Sequence, residues 1–289
     1  MGILYDGTDE QKRKYLPRIA SGEWAAAFAL TEPNAGSDAA NISTRAVIDD
    51  DHWVLNGTKQ FITNADSAHV FTTLAVTDEK KRARGGVTAF IVEQGMPGLK
   101  VGPADRKMGL RGSHTHELVF NNCTVPAENV IGGAERVGHG FKTAMRVLDK
   151  GRLSMGACAI GASQKIMELC VARVKGKLAA GEPKEKMQAV QFVLADMATD
   201  IYAARQMLHH ASELRDRGQN VTHEASMVKV FCTEMASRIA DRAMDLFEEE
   251  GGLTQNRIEM FLRDVRLYRI FEGTSEIQRM IISRNLLNQ

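Results

Sequence analysis

The tripeptide Ile131-Gly132-Gly133 divides the sequence into two parts that differ in the spacing of their apolar residues. Before it, short segments rich in Val, Thr, Phe and Ile alternate with turn signals such as Asn56-Gly57 and Gly85-Gly86, which is typical of an antiparallel β domain. After it, apolar residues recur every three or four positions, which indicates amphipathic helices. The sequence therefore predicts an α+β fold, in which an antiparallel β domain is followed by an antiparallel four-helix bundle.

The helical part contains long periodic segments joined by short connections. The spacing predicts helices over residues 140–174, 187–215 and 222–250, and a final helix that begins at Ser275. A chain of 289 residues is long enough to bury a sizeable core in two modest domains.

Composition excludes several classes of function. The formal net charge is +1, so neither nucleic acid nor an anionic membrane surface is expected as the main partner. No apolar run has membrane-spanning length and the start lacks a signal peptide, which predicts a soluble protein of a bacterial cytoplasm or an organelle matrix and not a secreted one. The four cysteines, at positions 123, 158, 170 and 232, lack metal-like spacing. They are expected to be reduced core thiols.

The segment Arg269-Ile270-Phe271-Glu272-Gly273-Thr274-Ser275-Glu276-Ile277-Gln278 sets a carboxylate, Glu272, just ahead of a helix. Ser275 and Gln278 have the S-x-x-Q form of a capping box. The positive end of the helix dipole favours the carboxylate, and an apolar ligand that excluded water would raise its pKa. Glu272 is either a candidate general base or an acidic residue that merely stabilises the helix start.

A second segment predicts a binding turn. Residues 24–30 read as a buried strand that runs into Thr31-Glu32-Pro33-Asn34-Ala35-Gly36-Ser37-Asp38. Pro, Asn, Gly, Ser and Asp in one short stretch bend the chain sharply and leave N–H groups and hydroxyls pointing outward. Such a turn is a candidate cradle for a phosphate or for the polar edge of a ring.

Together, the Leu30–Asp38 turn and the Glu272–Gln278 segment resemble the two signature regions of the acyl-CoA dehydrogenase family. The resemblance continues, in family order, through Asn56-Gly57-Thr58-Lys59-Gln60-Phe61-Ile62-Thr63-Asn64, Lys107-Met108-Gly109-Leu110-Arg111-Gly112-Ser113 and Leu148-Asp149-Lys150-Gly151-Arg152. It covers nearly the whole chain and agrees with a middle β domain followed by a C-terminal four-helix bundle.

The resemblance implies removal of the α- and β-hydrogens of an acyl-CoA thioester, one as a proton and one as a hydride to FAD. Glu272 is then the base for the α-proton, while its own backbone N–H helps to polarise the thioester oxygen. Some family members carry the base on a bundle helix instead. Gly151 fills that position here, and glycine has no basic side chain.

The remaining site residues are also implied by the resemblance, residue by residue. Asp149 and Arg152 match an Asp-x-x-Arg near CoA and flavin, although an intrahelical ion pair is the plain alternative. Phe61 is the aromatic residue placed against the flavin ring, and would otherwise be read as a core residue. The predicted FAD contacts are Phe28, Leu30, Thr31, Gly36, Ser37, Phe61, Ile62, Thr63, Lys177, Thr274 and Glu276, and the predicted substrate contacts are Ser37, Asp149, Arg152 and Gly273.

Two segments depart from the family pattern. Relatives show Arg-x-x-Phe-Gly where this chain has Lys177, Ala180 and Gly181, so the planar guanidinium fork and the aromatic contact to a neighbouring subunit's FAD are replaced. Relatives also show Gln-x-x-Gly-Gly-x-Gly where this chain has Asp245-Leu246-Phe247-Glu248-Glu249-Glu250-Gly251. The carboxylates are expected to repel a neighbour's diphosphate.

The predicted organisation is a remnant of an N-terminal helical domain over residues 1–22, a middle β domain over 23–130 and a helical bundle over 131–289. We expect the chain to start within the family's N-terminal domain. The family pairs with an electron-transfer flavoprotein and is commonly a dimer of dimers. A homo- or hetero-oligomer is therefore expected. Three functions are left open: an FAD-dependent acyl-CoA dehydrogenase, a catalytically impaired or assembly subunit of a hetero-oligomeric acyl-CoA dehydrogenase, and a flavin oxidase on the same scaffold.

A histidine pair is the remaining motif of note. His114-Thr115-His116 has two possible metal ligands. The sequence around it offers no third ligand, so no metal site is predicted.

Overall fold

The fold is that of a computed structural model, which describes residues 1–287 except for the side chains at 185 and 186. The chain forms two compact units, one comprising residues 1–107 and 111–147 and the other residues 108–110 and 148–289. The first unit contains the sheet and the second is helical, so the predicted α+β class is confirmed.

The first unit begins with two short helices and then builds a seven-stranded sheet in the order β1-β4-β2-β3-β7-β6, with β5 paired to β4. β1 pairs with β4 in the parallel direction, and the pairing of β2 with β4 at Arg45 and Val76 is also parallel. The sheet is therefore mixed, and the purely antiparallel prediction was wrong in this respect. The elements are α1 (Gly2–Asp6), α2 (Asp9–Ala20), β1 (Ala25–Ala29), β2 (Arg45–Asp49), β3 (His52–Thr63), β4 (Ala68–Val76), β5 (Val87–Glu93), β6 (Leu99–Ala104) and β7 (Thr115–Pro126).

Strand β3 contains a bulge that turns an aromatic ring outward. Trp53, Leu55 and Lys59 are buried at odd-numbered positions, as an alternating strand requires. The pairing with β7 shifts between Lys59 and Ile62, and Phe61 takes a left-handed φ of 57°. Ile62 is consequently buried, while Phe61 is 60% exposed.

The second unit consists of long helices around one apolar core. α5 packs against α4, α6 and α7, and α3 adds side chains such as Leu153 and Ile166 to the same cluster. The predicted helix positions agree to within a few residues, but a helix after the acidic stretch was missed. The elements are α3 (Gly140–Ala179), which starts in the first unit, α4 (Gln188–Asp216), α5 (Thr222–Phe247), α6 (Arg257–Tyr268) and α7 (Ser275–Leu287).

Three of the four cysteines lie in the cores, as predicted, and burial raises the pKa of Cys123 and Cys170 to about 11 and that of Cys232 to about 12. Cys158 is exposed, which corrects the prediction for that residue. Within the described part of the chain, no helix has the length and apolar character needed to cross a membrane.

Candidate active site

The loop between α6 and α7 has a backbone that few sequences adopt. Glu272 has a φ of 56° and Gly273 a φ of 86°, so two consecutive residues lie in the left-handed region. Gly273 meets this requirement at little cost, but for a glutamate the conformation is uncommon. Unusual backbone at a residue of this kind is a frequent mark of a functional site.

Two donors from different helices hold this loop. Lys229 on α5 donates from Nζ to the Gly273 carbonyl at 2.7 Å. Gln278 on α7 donates from Nε2 to the carbonyls of Glu272 and Gly273, at 3.1 and 3.0 Å. Both side chains are fully buried. The strained loop is therefore fixed by charged and amide hydrogen bonds on its carbonyl side.

The predicted capping box was wrong. Ser275 Oγ is buried and has no hydrogen-bond partner among the described residues. The Ile277 N–H is instead accepted by Thr274 Oγ1 at 3.3 Å. Gln278 is committed to the loop carbonyls, so its side chain positions Glu272 instead of closing the helix start.

Glu272 is half-buried as a residue, and one oxygen of its carboxylate is shut off from solvent. Its Oε2 atom is buried and accepts no hydrogen bond from any described residue. Burial raises the pKa of Glu272, while Arg152 and Lys229 oppose that shift without cancelling it. A carboxylate whose proton affinity is raised in this way is suited to accept a proton from a bound molecule.

Gly151 on α3 makes room for that carboxylate. A Cβ atom at this position would collide with the carboxyl group of Glu272. The glycine therefore does more than lack a base of its own, because any side chain there would displace Glu272.

Arg152 and Asp149 form the ion pair that was the plain alternative in the sequence. Arg152 Nη1 donates to Asp149 Oδ1 at 2.7 Å, and the other carboxylate oxygen accepts from Thr222 Oγ1 at 2.7 Å. Arg152 is only 5% exposed, and its Nε atom has no hydrogen-bond partner among the described residues. The pair can thus fix Arg152 beside Glu272, while the buried Nε–H is not used by any described residue.

Sequence reasoning missed Lys229 as part of this site. Burial lowers the pKa of Lys229 to about 8, an effect that Glu272 opposes and Arg152 reinforces. The signal was available, since Lys229 is a lone cation in the apolar run 227–232, and lysine is rarely buried without a partner.

The predicted flavin residues of the first unit divide into exposed and buried groups. The Gln60 N–H donates to the Thr31 carbonyl at 2.8 Å, so the signature turn lies beside β3. Phe61, Thr63, Gly36 and Ser37 are exposed, and Phe28 and Thr31 are half-buried. Leu30 and Ile62 are buried in the unit, at 6% and 2% exposed.

The predicted flavin residues of the helical unit are Thr274, Glu276 and Lys177, and Lys177 already has a partner within the unit. Thr274 is half-buried at the start of α7 and Glu276 is exposed beside it. Lys177 Nζ pairs with Glu248 Oε1 at 2.7 Å, and Arg173 pairs with Glu250 at 2.6 Å. The acidic stretch is therefore partly neutralised within its own chain, which tempers the predicted repulsion of phosphate. Its role toward a neighbour's FAD stays a prediction.

Comparisons with known proteins match both units. The model of "Acyl-CoA dehydrogenase, middle domain" matches residues 27–123, and that of "Acyl-CoA dehydrogenase, C-terminal domain" matches residues 138–287. An acyl-CoA dehydrogenase of Bacillus subtilis is 44% identical over 285 residues, which is 99% of this chain and 74% of that protein.

Solved structures agree. The structure of butyryl-CoA dehydrogenase from Megasphaera elsdenii has a TM-score of 0.94 and 38% identity, and the match covers 99% of this chain and 74% of that one. A chain in the structure described as "Electron transferring flavoprotein of Acidaminococcus fermentans" has a TM-score of 0.94 and 39% identity, over 100% of this chain and 75% of that chain.

Proposed function

The chain belongs to the acyl-CoA dehydrogenase family, and from this premise we propose that it oxidises an acyl-CoA thioester to the α,β-unsaturated thioester with Glu272 as the base. The observation that carries the assignment is the buried, unpartnered Glu272 Oε2 on a strained loop. In the reaction the α C–H bond breaks and its proton passes to this oxygen, while the β-hydrogen leaves as a hydride and a C=C bond forms.

The rest of the loop assists this proton transfer. The backbone N–H of Glu272 donates to no described residue, so it is available to the thioester oxygen, where negative charge develops as the α-proton leaves. Gln278 binds the carbonyls of Glu272 and Gly273, in the two peptide groups that follow this N–H, and Lys229 binds the Gly273 carbonyl. They keep the carboxylate and the N–H in a fixed relation before substrate arrives.

FAD fits the exposed residues of the first unit. Phe61 is an exposed aromatic residue at the β3 bulge, Thr63 is exposed two residues on, and a Cβ at Gly36 would meet no atom within 4 Å. These residues, with Phe28, Thr31 and Ser37, would hold the flavin. When bound, FAD supplies the acceptor for the β-hydride.

Reduced flavin must be reoxidised, and the likeness to a chain in an electron-transferring flavoprotein structure supports such a flavoprotein as the partner. Oxygen as the acceptor would instead make the protein an oxidase. Assaying the reduced enzyme with an electron-transfer flavoprotein and, separately, with oxygen distinguishes the two. We expect rapid reoxidation only by the flavoprotein.

The base assignment is tested by anaerobic titration of the FAD-loaded protein with a panel of acyl-CoA thioesters. We expect bleaching of the flavin spectrum by at least one thioester, and its loss in Glu272→Gln, by about 10²–10⁴-fold in rate. Glu168→Gln is the matched control, since Glu168 is exposed on α3 and forms an ion pair with Lys165. A Glu272→Gln protein that bleaches at the wild-type rate would exclude Glu272 as the base.

A further inference from the structure

Three side chains with metal-ligating atoms converge in the first unit, which does not carry Glu272. His114 and His116 are two residues apart at the start of β7, and Asp66 lies in the turn between β3 and β4. The register Ile62↔His116 and the hydrogen bond from the Asn64 N–H to the His114 carbonyl bring the turn alongside β7. The third ligand that the sequence did not offer is therefore supplied by pairing of strands.

The distances within this cluster suit a small divalent cation. His114 Nδ1 lies 3.0 Å and His116 Nε2 lies 3.5 Å from the same oxygen, Asp66 Oδ2. All three ligand atoms lie within 4.8 Å of one another. Atoms that bind one zinc ion each lie about 2.0–2.2 Å from it, so they must also lie within a few ångströms of one another, as these three atoms do.

The hydrogen bonding of His116 indicates which of its nitrogens is free. His116 Nδ1 lies 2.9 Å from the Gly102 carbonyl oxygen. A carbonyl only accepts hydrogen bonds, so Nδ1 carries the proton and, in the neutral ring, Nε2 carries a bare lone pair. His116 is 5% exposed, and its Nε2 has no hydrogen-bond partner among the described residues.

A buried nitrogen lone pair without a partner is costly. A histidine that donates one ring N–H to a backbone carbonyl and directs its other nitrogen at a carboxylate has the arrangement of a metal ligand with its outer-shell support. Imidazole and carboxylate together favour zinc, cobalt or nickel over magnesium or calcium.

We propose that Asp66, His114 and His116 bind one Zn²⁺ ion per chain. Asp66 and His114 are exposed, so water completes the coordination shell. The ion ties the β3–β4 turn to β7, and its role is to stabilise this part of the sheet instead of taking part in acyl-CoA oxidation.

The competing arrangement is an imidazolium ion pair, in which His116 is doubly protonated and Nε2–H donates to Asp66. The two differ in their response to metal. The ion pair is complete without an ion, whereas the proposed site is completed only when an ion binds, so zinc binding distinguishes them.

The binding test uses tag-free full chain treated with a chelator and titrated calorimetrically with Zn²⁺. We expect one site per chain, a higher melting temperature with zinc, and visible absorption bands of a histidine-ligated ion when Co²⁺ replaces it. His114→Ala and Asp66→Asn alter exposed residues and so should fold, and each is expected to weaken zinc binding by at least about tenfold.

His52→Ala is the matched control. His52 also lies beside two aspartates, 3.2 Å from Asp51 and 3.6 Å from Asp49, but no second histidine of the described residues joins that group. We expect this variant to bind zinc as the parent does. Absence of stoichiometric zinc binding, or equal weakening by His52→Ala and Asp66→Asn, would overturn the proposal.

Discussion

Each unit buries a lysine near a glutamate, and the two environments are opposite in kind. In the first unit Lys59 Nζ contacts Glu32 Oε1 at 2.8 Å and the Leu30 carbonyl at 3.1 Å. Glu32 also accepts from the N–H and hydroxyl of Ser43 and from the Thr44 N–H. Every oxygen of this carboxylate is satisfied. In the helical unit, Lys229 binds a backbone carbonyl, and Glu272 Oε2 has no described hydrogen-bond partner.

The pKa directions follow from this difference. Burial alone would raise the pKa of Glu32, but Lys59 and the surrounding donors lower it to about 2. For Glu272, burial outweighs Arg152 and Lys229 and the pKa is raised. A satisfied buried carboxylate stabilises a turn, whereas an unsatisfied one retains the capacity to take a proton.

The largest expected effect is on the satisfied pair. Glu32→Gln leaves the Lys59 cation buried without its counter-ion, and should lower the free energy of unfolding by about 3–5 kcal/mol. Because the folded pKa of Glu32 lies near 2 and its ordinary value is 4.5, its contribution is present above pH 4.5 and is lost as the pH falls toward 2. Urea unfolding at several pH values measures both. The double variant Glu32→Gln, Lys59→Met should recover part of the loss, and a double variant as unstable as the single one would contradict the pairing.

Lys229→Met probes the second cluster. Loss of a charged hydrogen bond to Gly273 should lower the free energy of unfolding by about 1.5–3 kcal/mol. Activity of the parent should rise as Glu272 ionises and fall as Lys229 loses its proton near pH 8. In the variant the fall near pH 8 should vanish, and the acidic limb should move to higher pH because a neighbouring cation is gone. Lys165→Met, at an exposed lysine on α3, is the control and should keep the pH profile of the parent. If Lys229→Met also kept that profile, Lys229 would serve packing alone.

Alanine substitutions at two glycines on α3 distinguish the effect of helix propensity from the need for space beside the Glu272 carboxylate. Gly151→Ala should disable proton abstraction, because its Cβ collides with the Glu272 carboxyl group. At Gly161 an added Cβ meets no atom within 4 Å, so Gly161→Ala should raise the free energy of unfolding by about 0.8–1 kcal/mol and leave activity unchanged. Flavin bleaching and urea unfolding of both variants measure the contrast. Equal activities would show that Glu272 does not need the space at Gly151.

The smallest effect is expected from Glu272→Gln on stability. A raised pKa means that the folded environment disfavours the charged form, so stability falls as the pH rises through the folded pKa of Glu272. The amide does not titrate, so at neutral pH the variant should melt at the same or a higher temperature than the parent. Scanning calorimetry measures this. A marked drop in melting temperature would make Glu272 a structural group like Glu32.

The sequence predicted the α+β class and most helix positions, because the spacing of apolar residues can be read directly from one sequence. It could not predict that β1 runs parallel to β4, since alternation specifies which face of a strand is buried but not its direction. The roles of Lys229 and Gln278 were also hidden. They arise where α5, α7 and the Glu272 loop meet, and no spacing along the chain encodes that meeting.

The metal-ligand cluster was hidden for a similar reason. Asp66 is 48 residues from His114, and only the pairing of β3 with β7 brings them together. Phe61 is a further case. Counting alternate residues along β3 assigns it to the core, and the one-residue shift after Lys59 reverses that assignment.

The bulge that turns Phe61 outward also makes the melting temperature depend on what is bound to this ring. A ring that is 60% exposed gains free energy only when a flat apolar surface covers it. A molecule that binds this ring in the folded protein and not in the unfolded chain raises the melting temperature as its concentration increases. With the flavin against Phe61, as proposed above, preparations that differ in flavin content should melt at different temperatures, and a melting curve would then measure how much of the sample carries flavin.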